Sequence, residues 1–191
     1  ITEKINDLSF KISAKSFFQT NSFQTSKLYN IVKKFADLKG NETVYDLYCG
    51  IGTISLFLAK DAKQIIGIET INDAIISARS NAELNEISNC KFINGDVKDI
   101  INKPIKNHEN PDIIIVDPPR NGLDKSVIHS LVKLSPAKII YVSCNSSTQA
   151  RDIIDLKEFY ELKTSQAIDM FPQTYHVENV VLLKKTKECI D

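Results

Sequence analysis

No methionine opens this 191-residue chain; it begins Ile1-Thr2-Glu3, and Met170 is the only one it has. That start is expected of a piece cut from a longer polypeptide, with an upstream region outside the sequence. Cysteines are few and scattered: Cys49, Cys90, Cys144 and Cys189. No two of them form a C-x-x-C pair, so the usual spacing of a zinc site is missing and no metal is expected. Four separated thiols suit a reducing cytosol better than a disulfide framework, and a cytoplasmic location is expected. No apolar run approaches the roughly 20 residues of a membrane span, and no basic segment followed by an apolar stretch marks a signal peptide. An excess of charge is missing too. With 24 basic and 24 acidic residues the formal net charge is zero, so the chain lacks the overall basic field that advertises nucleic-acid binding.

What is present fits a soluble globular domain, with 42% hydrophobic and 25% charged residues. The charge is uneven. Residues 1–40 hold seven lysines (Lys4, Lys11, Lys15, Lys27, Lys33, Lys34, Lys39) against Glu3, Asp7 and Asp37, about +4 for that segment. Read alone, this is a solvated face. We expect residues 1–40 to be a lead-in segment with one amphipathic helix over Ser26–Ala36. Residues 41–191 then form the main domain. Beyond residue 40, short β-rich runs alternate with helical stretches. Strands are expected at Thr43–Tyr48, Gln64–Glu69, Lys91–Asn94, Asp112–Asp117, Lys138–Ser143, Tyr160–Gln166 and Asn179–Lys184. Helices are expected at Thr53–Lys60, Asp73–Asn85, Lys125–Leu134 and near Thr148–Leu156. The polar stretch Asn102–Pro111 reads as an exposed connection. Apolar runs such as Ile113–Val116 mark strands buried on both faces. The alternation implies crossover units: an α/β fold with a mostly parallel seven-stranded sheet and helices on both faces.

In such sheets ligands bind beyond the carboxyl ends of the strands, and the unusual residues of this sequence fall there. The first strand runs into Asp46-Leu47-Tyr48-Cys49-Gly50-Ile51-Gly52-Thr53. Gly50 and Gly52 permit a tight turn and a close backbone approach to a ligand. A dinucleotide fingerprint would place a third glycine where Ser55 stands. Asp46, by charge, suits a cofactor carrying an ammonium group better than a pyrophosphate. Glu69 ends the second strand, where an acid accepts hydrogen bonds from ribose hydroxyls. A structural strand-to-helix turn would explain the glycines but not the two acids. The fourth strand ends in Asp117-Pro118-Pro119-Arg120, a corner stiffened by two prolines. Methyltransferases that act on planar amine nitrogens use a similar corner, with an aromatic residue where Arg120 stands. The fifth strand ends in Ser143-Cys144-Asn145. A lone cysteine in a buried run is ordinarily a packing residue, but Cys144 lies just past the strand at the ligand edge. Near the C-terminus, His176-Val177-Glu178 offers two candidate bases, a carboxylate and an imidazole.

These segments, together with Phe18-Gln19-Thr20-Asn21 and Met170-Phe171-Pro172-Gln173-Thr174-Tyr175, resemble the RNA uracil-5-methyltransferase family. The resemblance runs from about residue 10 to the C-terminus. It implies the Rossmann-like fold of class I S-adenosylmethionine-dependent methyltransferases, and methyl transfer from that cofactor to carbon 5 of a uridine in RNA. It implies Cys144 as the nucleophile that adds to carbon 6 and Glu178 as the base that removes the carbon-5 proton. Cofactor binding is expected at Gln19, Tyr48, Gly50, Gly52, Glu69, Asp96 and Asp117. Contact with the substrate is expected at Gln19, Asp117, Arg120, Asn145 and His176. Among RNAs, 23S ribosomal RNA is favoured over transfer RNA on resemblance alone, and a monomer is the default. One position departs from the family: Ser146 stands where proline usually follows Ser-Cys-Asn.

Three other readings remain open. A cytosine-5 methyltransferase would carry a second cysteine after the strand-four proline, where Arg120 stands. A nitrogen methyltransferase would not need Cys144. A module that binds RNA without catalysis would have no use for Cys144 and Glu178 together.

Overall fold

The computed structural model describes residues 1–12, 19, 21–105, 108–174 and 177–186. Its centre is a seven-stranded sheet. The strands are β3 (Thr43–Leu47), β4 (Gln64–Glu69), β5 (Cys90–Asn94), β6 (Ile113–Val116), β7 (Lys138–Ser143), β8 (Tyr160–Ile168) and β9 (Glu178–Lys185), in the order β5-β4-β3-β6-β7-β9-β8. The first five pair in parallel. β9 alone is reversed, antiparallel to both β7 and β8. All seven strands fall where the residue pattern placed them, to within one or two residues at most ends.

Alternation along each strand divides the core into two layers. Ile113, Ile115, Ile140, Val142, Val180 and Leu182 face one layer, while Ile114, Val116, Ile139, Tyr141, Val181 and Leu183 face the other. The first layer is covered by α1 (Ser22–Ala36), α2 (Thr53–Leu58) and α3 (Asn72–Leu84). The second is covered by α4 (Val97–Ile100), α5 (Lys125–Leu134) and α6 (Ser146–Leu156). α1 starts four residues before its expected start because Asn21 caps it, accepting from the Gln24 N–H at 3.1 Å. Its buried face, including Leu28, Val32 and Phe35, belongs to the first core layer.

The lead-in segment also holds a hairpin that its pattern did not announce, β1 (Thr2–Ile5) with β2 (Leu8–Lys11). A two-stranded hairpin is marginal alone, and here α3 completes it. Asn85 exchanges two hydrogen bonds with the Ser9 backbone, each 2.8 Å. One turn earlier, Asn81 accepts from the Lys11 N–H at 2.8 Å. Two asparagines at i, i+4 thus satisfy a strand edge as a neighbouring strand would. Among the described residues, no helix is long and apolar enough to cross a membrane.

Candidate active site at the carboxyl edge of the sheet

From β3 the chain winds outward through β4 and β5, then crosses back to β6 on the other side of β3. The crevice between the ends of β3 and β6 is therefore the switch point where open α/β sheets bind ligands. The loop after β3 makes it possible by its backbone: Tyr48, Gly50 and Gly52 have φ of 65°, 54° and 80°. A Cβ on Gly52 would lie 2.8 Å from the Phe92 ring, so both conformation and space demand glycine there. Glu69, at the end of β4, holds this loop. It accepts from the Gly50 N–H at 3.1 Å and from the Ile71 N–H at 2.9 Å.

Asp46 is buried within β3. Its Oδ2 accepts from the Ser55 hydroxyl at 2.6 Å. The residue that breaks the dinucleotide fingerprint is thus the one that orients this carboxylate. Oδ1 of Asp46 and Oε1 of Gln19 are both buried without a hydrogen-bond partner among the described residues. Both residues line one narrow pocket with Tyr48, Gly50, Thr53 and Asp117. A buried acceptor left unpaired costs about 1–3 kcal/mol, so this pocket calls for a donor. Burial pushes the Asp46 carboxyl up to about 7, against the Ser55 hydrogen bond. The Asp117 carboxyl is raised well above its usual range by burial, and further by Glu178 and Asp46.

Tyr48 also forms one wall of an adjoining cavity of about 560 Å³, with Pro119, Leu123 and Val127 among its apolar lining and Asp96 at its edge. Asp96 is exposed and caps α4, accepting from the Lys98 N–H at 3.1 Å. Of the seven residues assigned to the cofactor, Asp96 alone stands apart from the narrow pocket and from the loop that Glu69 braces.

The expected nucleophile and base lie one residue past the last pair of one strand ladder. Pairing of β7 with β9 ends at Ser143↔Asn179. One step further, the residues in register are Cys144 and Glu178. Residues directly opposite in an antiparallel pair point to the same face with Cα atoms about 4.5–5.5 Å apart. The ladder stops one rung short of them, and the Glu178 carboxylate is near enough to act on the Cys144 thiol electrostatically. Cys144 is half-buried and lines an open groove of about 520 Å³ with Arg120, Asn145 and Val177. Burial raises its pKa, Glu178 raises it further, and Arg120 opposes both. Glu178 is itself buried, which raises its carboxyl against the pull of Arg120. Burial thus favours the thiol form of Cys144, and among the described residues Arg120 is the cation acting on both groups.

Asn145 has both ends of its amide engaged within the chain. Its Oδ1 caps α6 through the Ser147 and Thr148 N–H groups, and its Nδ2 donates to the Arg120 carbonyl at 3.1 Å. It ties the Cys144 turn to the Asp117–Arg120 corner. Phe18, Thr20, Tyr175 and His176 lie outside the described residues.

Residues to which the sequence reading gave no role, in the stretch Thr148-Gln149-Ala150-Arg151-Asp152 that agrees with the family, lie along α6. Asp152 is fully buried and accepts from the Leu123 N–H, the Tyr141 hydroxyl and the Arg151 guanidinium, at 2.6–2.9 Å. It anchors the far end of the proline corner. Gln149, also buried, bonds to both β7 and β9. The available signal was their spacing: polar residues at 145, 148, 149 and 152 fall on one helical face, which has to meet something polar.

Similarity to known proteins follows the same lines. A Pyrococcus abyssi tRNA (uracil-54, C5)-methyltransferase, solved in complex with S-adenosyl-L-homocysteine, superimposes with a TM-score of 0.85 at 37% identity, covering 96% of this chain and 44% of that one. A precorrin-8w decarboxylase from Methanobacterium thermoautotrophicum shares the fold alone, with a TM-score of 0.72 at 17% identity and covering 93% of this chain and 97% of that one. The fold is that of Rossmann-like S-adenosylmethionine-dependent methyltransferases. The chain matches the tRNA (uracil-5-)-methyltransferase family over residues 2–186, and it belongs to that family. An uncharacterised RNA methyltransferase of Enterococcus faecalis is 51% identical over 186 residues, 97% of this chain and 41% of that protein. One from Bacteroides thetaiotaomicron is 50% identical over 183 residues, 95% of this chain and 40% of that protein. The chain thus spans about two fifths of the length of these curated relatives.

Proposed function

We propose that the chain is the catalytic part of an enzyme that transfers a methyl group from S-adenosylmethionine to carbon 5 of a uridine in RNA. The observation that supports this reading is the end of the β7–β9 ladder at Ser143↔Asn179, one residue from both Cys144 and Glu178. They stand beside the Asp117 corner of the pocket in which Asp46 and Gln19 present unpaired acceptors. Two acceptors without donors fit the ammonium of an amino-acid moiety and do not fit a pyrophosphate. Glu69 and Tyr48 are proposed to hold the ribose and the base of the cofactor, with Asp96 at the outer edge.

S-adenosylmethionine, when bound, supplies an electrophilic methyl group on a sulfonium. Carbon 5 of uracil is too weak a nucleophile to take it unaided. Cys144 gives its proton to solvent in the open groove, its Sγ bonds to carbon 6, and the electron pair of the 5,6 double bond shifts to make carbon 5 the carbon of an enolate. The new carbon–carbon bond would form there as the methyl–sulfur bond of the bound cofactor breaks and its electron pair stays on sulfur. Glu178 then removes the carbon-5 proton, the electron pair restores the 5,6 double bond, and the Sγ–C6 bond breaks. Arg120 is placed to favour the thiolate. Burial raises the proton affinity of Glu178 toward what a base needs near neutral pH. Gln19, Asp117, Arg120, Asn145 and His176 are proposed to contact the substrate, Asn145 through the loop it holds.

The RNA is proposed to be 23S ribosomal RNA, a choice that rests on resemblance. A transfer RNA is the second reading, because the family description and the Pyrococcus protein both name tRNA. Incubating the intact protein with isotope-labelled cofactor and each RNA separates them. Label is expected in 5-methyluridine of one RNA class, and Cys144→Ala should abolish it. Label on a nitrogen, on cytosine, or undiminished in Cys144→Ala would overturn the proposal.

A further inference from the structure

We infer that Gln149 is a positioning residue whose buried amide takes over from the β7–β9 ladder where the ladder stops, and so sets Glu178 against Cys144. The inference rests on the roles proposed for those two residues. Gln149 lies on α6, one turn beyond the cap Asn145, and is 1% exposed. Its Nε2 donates to the Tyr141 carbonyl of β7 at 2.9 Å and to the Asn179 carbonyl of β9 at 3.2 Å. Its Oε1 accepts from Asn179 Nδ2 at 2.6 Å. Asn179 Oδ1 in turn accepts from the Ser165 hydroxyl of β8 at 2.9 Å. One amide therefore joins α6 to β7 and β9 and, through Asn179, to β8.

The place of this junction gives it its meaning. Ser143↔Asn179 is the last pair of the β7–β9 ladder, and the next residues, Cys144 and Glu178, have no rung between them. Glu178 pairs only with Ile168 on β8. Nothing in the β7–β9 pairing fixes how far the carboxylate stands from the thiol, whereas a side chain grasping Asn179 from the α6 side does. An apolar residue on this buried helix face would fill the space but leave Asn179 Nδ2 and the Tyr141 and Asn179 carbonyls without this partner. A polar one, with both donors and its acceptor used, fixes a geometry instead.

The two covalent steps depend on this geometry differently. Addition of the thiol to carbon 6 needs Cys144, whereas elimination needs Glu178 at the methylated carbon. Misplacing a reacting group by about 1 Å can cost about a hundredfold. Gln149→Leu in the intact protein should therefore accumulate a covalent protein–RNA adduct on ordinary uridine-containing RNA, with elimination slowed at least about tenfold relative to addition. Cofactor affinity should stay within about twofold, because the pocket near Asp46 does not involve α6. If Gln149→Leu does not fold, Gln149→Glu carries the test. It keeps an acceptor for Asn179 but loses both donors, and should accumulate the same adduct. Addition and elimination slowed in equal proportion, or unchanged turnover without adduct, would overturn the inference. A wild type that forms no adduct with 5-fluorouridine-containing RNA would overturn the roles of Cys144 and Glu178 instead, and the inference with them.

Discussion

At the scale of single residues, burial of Asp46 carries a folding penalty, which its proposed role in cofactor binding accounts for. Its carboxyl moves from 3.8 to about 7 because burial disfavours the charged form. The raised value means that the folded state holds its proton between about pH 4 and pH 7 while the unfolded state releases it. Stability therefore falls as pH rises through that window, and above it the penalty is constant. Three pH units correspond to an upper limit of about 4 kcal/mol. Asp46→Asn should accordingly raise the stability of the ligand-free protein at pH 8, by about 1–3 kcal/mol in urea denaturation. The same variant should weaken S-adenosylmethionine binding by at least about tenfold, since a carboxylate that meets an ammonium is lost. In the wild type, affinity measured by calorimetry should decline as pH falls below about 7, while in Asp46→Asn the profile should be flat there. A wild-type affinity independent of pH between 5.5 and 8 would remove Asp46 from cofactor binding. The acid itself was legible from its place before the glycines. Its two oxygens were not, because which one meets Ser55 depends on how α2 returns past β3.

At the scale of elements, α6 organises the site. Asn145 caps it and holds Arg120, Asp152 holds the loop to Leu123, and Gln149 holds β9. The strands were read correctly because a continuous run such as Ile113–Val116 has few alternatives. The hairpin over residues 2–11 and the short α4 escaped because each is four-residue structure completed by partners far along the chain. Asn81 and Asn85 for the hairpin are the clear example. The substitution of Ser146 for the family's proline also finds its explanation here. Ser146 is the first residue of α6, the helical position where proline is tolerated best because its N–H has no partner in the helix. Asn145 before it is already extended, with φ −139° and ψ 99°, the conformation that a following proline favours. Ser146→Pro should therefore stabilise the protein by about 0.4–1 kcal/mol, read by thermal denaturation, with methyl transfer retained. A loss of stability would show that the turn carrying Cys144 differs from this one.

At the scale of the whole molecule, the sheet brings together segments that lie far apart in sequence. Gln19, Asp46, Asp117, Cys144 and Glu178 come from five separate segments of the chain, and the switch point between β3 and β6 and the reversed strand β9 unite them. The five motifs told which residues to examine. They did not tell that Cys144 and Glu178 both follow the last β7–β9 pair, because that depends on β9 running antiparallel between β7 and β8. A parallel β9 would have carried Glu178 to the opposite edge. The central claim is that this edge performs covalent catalysis through Cys144. Its most direct test is the mass of the intact protein after incubation with S-adenosylmethionine and RNA carrying 5-fluorouridine at the target. Fluorine on carbon 5 cannot leave as a proton, so elimination stalls. The account predicts a stable adduct carrying one added methyl group, mapped by peptide analysis to Cys144 and absent from Cys144→Ser. An adduct that persists in Cys144→Ser, or methyl transfer to uridine carbon 5 with no adduct at all, would contradict it.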